Sequence, residues 1–484
     1  MEIEKISAQI ILMESERMNF RNFAFAFLVA IFFALPNFAA DVSITESRQN
    51  QSAANDSPAV AFVRRLSEVL ENGSAEEAAA LFQSMPAELK NDFDLQKLHA
   101  SLLISAARYD DAKKLISELE QKNSSDIEIK ELKMMLAKVT GNSSAKSAAL
   151  KEIVALDPNN PSANTELGQE QVLKHKYKPA KNYYAKALKG DPKNLDALFG
   201  YGQTSYYLNE IENSKRAFNK MLEIDPQNAQ AHAYIAKIYA EDENYMRAEE
   251  CVLKAIAIDD SNYDFYMDLG TYQRFRGKFK DAEKAWTNAI KINPQYFLAY
   301  AYRAGLYDEQ NIYDKALDDY RMVIKTNPQY YFAYESVGML AWRIGNYDEA
   351  RAAFEKAYSY NKANVSYPLM IAACYYKAVK QPIQAVQVKP FLVKAMKDFP
   401  DHDSLEYLML RLYHDLGPSN AENLVSRKIQ TESNSTKKGK MTFYLALFDE
   451  IMGRDELAKK IYSEVASLQS PMFFEFRLAE WKVK

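Results

Sequence analysis

Along most of the chain, apolar residues return at steps of three and four, the spacing that gathers them on one stripe of an α-helix. The stretches "AVAFVRRLSEVL" from Ala59, "LQKLHASLLISAARYDDAKKLISELE" from Leu95 and "YFAYESVGMLAWRIGNYDEARAAFEKAYSYNK" from Tyr331 all carry it. Polar stretches such as "LNEIENS", "EDENYMR" and "IGNYDEA" interrupt the stripes with Asn, Asp or Gly, where a helix should stop. Helices of about a dozen residues are marginal alone in water. The pattern therefore predicts helices that stack on one another.

The punctuation is periodic. Pro158, Pro192, Pro226, Asp260, Pro294, Pro328 and Lys362 follow one another at a constant 34 residues. Self-similarity at a fixed period of this size indicates a repeat array. Most of the prolines follow Asp or Asn, and each such pair should end a helix. Proline disfavours helical geometry in the residue before it and has no amide hydrogen to continue the ladder. Between the beats the copies agree in register: Leu167, Gly168, Ala180, Tyr184 and Ala187 in one, Leu269, Gly270, Ala282, Trp286 and Ala289 in another, Val337, Gly338, Ala350, Phe354 and Ala357 in a third. A small residue opposite a bulky one lets two antiparallel helices approach closely. Each repeat is expected to be a helical hairpin.

In these positions the chain resembles the tetratricopeptide repeat family, most strongly from residue 161 to residue 364. The resemblance implies an all-α fold, a right-handed superhelical solenoid of antiparallel helix pairs. A solenoid adds length without adding separate cores, so the 484 residues are expected to form one elongated array. Residues 58–160 read as divergent copies, residues 161–364 as six well-formed repeats, and residues 365–484 as further divergent copies. In that last part Pro382 and Pro390 imply an enlarged loop, "TESNSTKKGK" a polar loop, and Met472 to Lys484 a closing helix whose polar face meets water.

The amino terminus reads as an address. From Met18, Arg21 precedes an apolar run from Phe23 to Leu35, then Pro36 and the small pair Ala39 and Ala40, the layout of a secretory signal peptide ending near residue 40. The run falls short of the roughly 20 apolar residues of a spanning helix, so no stable membrane span is expected after cleavage. The acidic lead-in before Met18 places the expected start of translation at Met18, and residues 41–57 read as a flexible linker. With two cysteines, Cys251 and Cys374, on separate repeats, no disulfide is expected. That scarcity favours a bacterial periplasm or secretion over a eukaryotic exterior, where Asn-x-Ser/Thr sites such as Asn50 and Asn142 would carry glycans.

Composition adds little pull toward any ligand class. A net charge of -4 with 26% charged residues does not favour nucleic acid or an anionic membrane. His99, His175, His232, His402 and His414 are scattered over different repeats, without the close spacing of a metal-binding helix. No Gly-rich phosphate loop and no Gly-x-Ser-x-Gly elbow is present in the sequence, so neither an enzyme nor a cofactor is expected.

Binding is the better expectation, and the resemblance implies its place: the first helix of each hairpin lines a concave groove. Carried onto this chain, the groove positions are Phe199, Gln203, Tyr206 and Tyr207, then Lys237 and Glu241, then Arg274 and Phe275, then Asp308 and Glu309, then Phe332, Glu335, Trp342 and Arg343, and finally Tyr376 and Lys377. An aromatic surface with charges of both signs suits a protein or peptide partner. Base stacking would need a basic track as well, which argues against nucleic acid. The Lys and Asn set of a carboxylate clamp is missing from these positions. Packing within the superhelix is the competing account of the aromatics. An envelope scaffold, a carbohydrate-handling accessory and a regulatory arm of an enzyme on another chain are the three functions compatible with this reading.

Overall fold

A computed structural model describes residues 57–379, 385–417, 419–469 and 473–484, and among them all regular structure is helical. The chain divides into two compact units, one ending at Pro226 and the other beginning at Gln227. The proposed signal, the linker through residue 56, and Pro382 lie outside the described residues.

The first unit holds α1 (Pro58–Asn72), α2 (Ala75–Leu81), two single turns of 3-10 helix, α3 (Phe93–Ser105), α4 (Tyr109–Lys122), α5 (Ile127–Val139), α6 (Ser143–Leu156), α7 (Pro161–Leu173), α8 (Tyr177–Gly190), α9 (Leu195–Tyr207) and α10 (Ile211–Ile224). The second continues with α11 (Ala229–Glu241), α12 (Tyr245–Ile258), α13 (Tyr263–Phe275), α14 (Phe279–Ile292), α15 (Phe297–Glu309), α16 (Tyr313–Thr326), α17 (Phe332–Arg343), α18 (Tyr347–Tyr360) and α19 (Ser366–Lys377). It ends with α20 (Val388–Met396), α21 (Leu405–Asp415), α22 (Ser419–Thr431), α23 (Ser435–Ile451), α24 (Asp455–Ala466) and α25 (Phe474–Val483). From α3 to α18 each odd-numbered helix packs on the even-numbered helix that follows it, the expected hairpin.

Local chemistry repeats with the hairpins. The first helix of each hairpin breaks at a residue in the left-handed region: Ala107, Gly141, His175, Asn209, Glu243, Gly277, Asn311 and Gly345, with φ between 55° and 77°. These positions also lie 34 residues apart, so the copies before Pro158, weak in sequence, are regular in backbone. The second helix ends at Asp or Asn. The side chains of Asp157, Asp191, Asp259, Asn293 and Asn327 each accept a hydrogen bond from the amide two residues on, at 2.9–3.2 Å. That Asx turn, together with the following proline where there is one, closes the helix. Asn160, Asn194 and Asn228 then cap the next first helix, each accepting from the amide three residues on.

Close approach is built by the small residues. In four hairpins the aromatic ring of the second helix lies against a glycine of its partner: Tyr184 on Gly168, Phe218 on Gly202, Trp286 on Gly270, Phe354 on Gly338. Cys374 is buried and Cys251 half-buried, both as free thiols whose ionisation burial opposes.

Beyond α18 the register gives way to a larger core. From Ser366 to Cys374, α19 is buried on all sides, as its apolar run "SYPLMIAAC" requires. Buried tyrosines tie the layers together: Tyr376 donates to the Tyr413 carbonyl and Tyr413 to the Tyr444 carbonyl, while the Tyr444 hydroxyl lies 3.1 Å from the Ser366 carbonyl and 2.9 Å from Glu475. Two expectations fail here. The polar stretch "TESNSTKKGK" is not one loop, because Asn434 caps α23 by accepting from the Lys437 amide and Lys437 pairs with Glu406 at 2.8 Å. Nor does the polar side of α25 simply meet water; it lies against α15, α16 and α17.

Candidate partner-binding face

The candidate residues sit on odd-numbered helices, mostly in their last turns. In the first unit, α9 contributes four. Phe199 is half-buried with its ring edge-on to Phe218, and Gln203 and Tyr206 are half-buried. Tyr207 is 52% exposed and stacks on Tyr177, the first residue of α8, at 4.9 Å.

The second unit repeats this motif at α13. Phe275 is 56% exposed and lies parallel to Tyr245, the first residue of α12, with ring centres 4.6 Å apart. Its neighbour Arg274 reaches the following hairpin, donating to Glu309 from Nε at 3.1 Å and Nη2 at 2.9 Å. On α11, Glu241 is exposed and Lys237 stands 3.5 Å from Asp268 and over the Tyr234 ring. Burial pushes the Asp268 and Asp264 carboxyls above their usual range, and the Lys237 charge opposes the shift.

Farther along, the expected set separates. On α17, Phe332 is 60% exposed and stacks on Tyr331, whereas Glu335 is half-buried and accepts from the Tyr367 hydroxyl at 2.9 Å. Burial raises the Glu335 carboxyl, against the effect of that hydrogen bond. Trp342 and Tyr376 cannot serve as open groove residues: they are 5% and 2% exposed. The cause is packing, Trp342 edge-on to Tyr347 and Tyr376 under α21 with its hydroxyl on the Tyr413 carbonyl. Lys377 is bound to Glu450 of α23 at 2.5 Å.

Asp308 and Arg343 are occupied by the chain itself. Arg477 of α25 forks onto Asp308, with Nη2 2.8 Å from Oδ1 and Nη1 on Oδ2. The Arg343 guanidinium lies 4.1 Å from the Tyr313 ring and 4.6 Å from the Trp481 ring, which meet edge to face, and Arg343 stays exposed; the Trp481 indole donates to the Tyr313 hydroxyl at 3.1 Å. Phe474 stacks on Phe354 and Tyr367. Sequence reasoning missed Tyr177, Tyr245 and Tyr313 as partners of Tyr207, Phe275 and Arg343. Their recurrence in every second repeat was the available signal. For Phe474, Arg477 and Trp481 no local signal exists, since Arg477 and Asp308 are 169 residues apart.

The histidines do not converge. His175 occupies a left-handed turn, His99 stacks on Phe82, and His402 stacks on Tyr407. Among the described residues no group of three or more His, Cys, Asp or Glu could hold a metal ion, and no helix is long and apolar enough to cross a membrane.

This architecture defines a helical-hairpin solenoid. Part of it is made of tetratricopeptide repeats: residues 171–238, 267–331 and 333–364 each match a family model of that description. An 87-residue segment is 33% identical to the human (Homo sapiens) DnaJ homolog subfamily C member 7, an alignment covering 17% of this chain and only 18% of that protein. Among solved structures, MamA is 28% identical, with 33% of this chain and 92% of MamA covered at a TM-score of 0.31. A tetratricopeptide repeat protein from Parabacteroides merdae is 22% identical, with 51% and 98% covered at a TM-score of 0.39.

Proposed function

We propose that the chain is an exported, non-catalytic scaffold that captures a protein or peptide partner on the first helices of its hairpins. The observation that carries this reading is the exposure of Phe275 on a preorganised stack. A large aromatic ring, already ordered by Tyr245 and flanked by Arg274 with its partner Glu309, offers contact area at low entropic cost. Tyr207 on Tyr177 offers the same arrangement in the first unit. Export is supported by the basic, apolar and small-residue order of residues 18–40.

The reading is tested by crosslinking the full chain in its native compartment and comparing wild type with Phe275→Ala and Tyr207→Ala. Both rings are on the surface, so both variants should melt like wild type, and the yield of a specific crosslinked protein should fall. Unchanged partners in both variants would rule out these rings as contacts. Sequencing the mature amino terminus should find a start just after Ala40, and recovery of Met1 or Met18 would overturn export by cleavage.

A further inference from the structure

The α25 helix is seated on the face where a ligand was expected, and its two sides differ in kind. Glu475, Leu478 and Ala479 are buried as in a core. Toward α15–α17 it presents Arg477 and Trp481, joined to Asp308, Tyr313 and Arg343 by a charge-assisted fork, an edge-to-face ring pair with the Arg343 guanidinium against both rings, and one indole hydrogen bond. This second set has the composition of a binding interface, Arg and Trp on a half-exposed rim, with the pair retaining 29% and 14% of side-chain exposure at Arg477 and Asp308. A ten-residue helix has little stability of its own. Its order derives from its seat.

The receiving side is part of the repeat pattern. Tyr313 and Arg343 stand where Tyr245 and Phe275 stand two repeats earlier, the first residue of a second helix stacked against the last residue of a first helix. In one copy Trp481 packs against Arg343, which stays exposed at its edge, and in the other Phe275 is more than half exposed, with no such helix packed against it among the described residues.

We propose that Asp308, Tyr313 and Arg343 form a helix-binding seat that α25 fills in cis, and that it accepts in trans a partner helix of the same chemistry. That helix carries an aromatic residue, an arginine three positions on and a tryptophan four positions after that, as Phe474, Arg477 and Trp481 do. The arginine meets Asp308, the indole packs against Arg343 and donates to Tyr313, and α25 must leave for the partner to enter. This inference rests on the protein-binding reading above, but concerns different residues from Phe275 and Tyr207, so the two can fail separately.

The test uses the full chain and a fluorescein-labelled synthetic peptide of residues 473–484, followed by anisotropy. The double variant Arg477→Ala, Trp481→Ala weakens the resident helix and leaves the seat intact. It should bind the peptide at least about 10-fold more tightly than wild type, and adding Asp308→Asn should remove at least that gain. Equal affinity for wild type and the double variant, or no binding to a double variant with a wild-type circular dichroism spectrum, overturns the proposal. Should the double variant lose helicity, hydrogen exchange on wild type decides: α25 amides should exchange at least about 10-fold faster than those of α23 and α24, and equal protection overturns the proposal. A wild-type dimer that the peptide converts to monomer would mean that copies exchange α25 with each other, and would also overturn it.

Discussion

Gly270 lies under the indole of Trp286 so closely that a β-carbon at Gly270 would stand 2.4 Å from the Trp286 ring nitrogen. The indole cannot retreat, because it is 1% exposed and its N–H is bonded to the Met267 carbonyl at 3.2 Å. Gly270→Ala should therefore destabilise the second unit by about 1–3 kcal/mol, overpacking outweighing the gain of about 1 kcal/mol in helix propensity. Gly305, also inside a first helix but one place out of that register, has nothing within 4 Å of a built β-carbon. Gly305→Ala should stabilise by up to about 1 kcal/mol. Urea melts of the two variants should move in opposite directions, and a shift of the same sign in both would contradict this packing.

That contrast shows how far the sequence could be read. The 34-residue beat from Pro158 to Lys362, with Gly168, Gly270 and Gly338 in register between the beats, identified the close helix approach, the hairpins and the array, because each is set by contacts within one repeat or with the next. The groove was harder to read. Position within a repeat placed Tyr207 and Phe275 on the surface, but the same rule applied to Trp342 and Tyr376 led into a core made by helices that follow. Nothing near Asp308 in the sequence announces Arg477, and tertiary packing across that distance decides which groove positions remain open.

Glu243 adopts φ 56° in the turn between α11 and α12, where Gly277 and Gly345 stand in other copies. A side chain in this left-handed region costs roughly 1–2 kcal/mol, and glycine returns part of the gain through its larger unfolded-state entropy. Glu243→Gly should raise the stability of the second unit by about 0.5–1 kcal/mol, and Gly277→Ala should lower it by about 1 kcal/mol. Chemical denaturation at one pH checks both. A destabilised Glu243→Gly would show that the Glu243 side chain contributes more than its backbone strain costs.

Arg303 forks onto Asp319 with both bonds at 2.7 Å and donates to Thr287 at 2.8 Å, linking α14, α15 and α16. Asp319 is only 5% exposed. Arg303→Met would leave a buried carboxylate without its cation, at a cost of about 3–5 kcal/mol. The double variant Arg303→Met, Asp319→Leu removes both charges and should recover most of that loss. A double variant no more stable than Arg303→Met would mean that packing, rather than the abandoned carboxylate, dominates the penalty.

The half-buried His99 and the buried Asp449 should give the units opposite responses to acid. In the first unit, burial against Phe82 and the nearby Arg108 charge push the His99 imidazole down to about 4, with Asp111 opposing. The unfolded chain then binds the proton first, so stability present above pH 6.5 is lost as pH falls toward 4, by at most about 1.4 kcal/mol per pH unit. In the second unit, burial pushes the Asp449 carboxyl up to about 6; Arg454, 2.6 Å away, opposes this and Glu422 adds to it. Here the folded state binds the proton first, so stability present below the ordinary carboxylate range is lost as pH rises through about 6. His99→Phe should therefore gain on wild type in melting temperature as pH drops from 7 to 5. Over the same interval Asp449→Asn should lose ground to wild type, because acid neutralises Asp449 anyway. Offsets from wild type that do not change with pH would show that neither group titrates differently on unfolding.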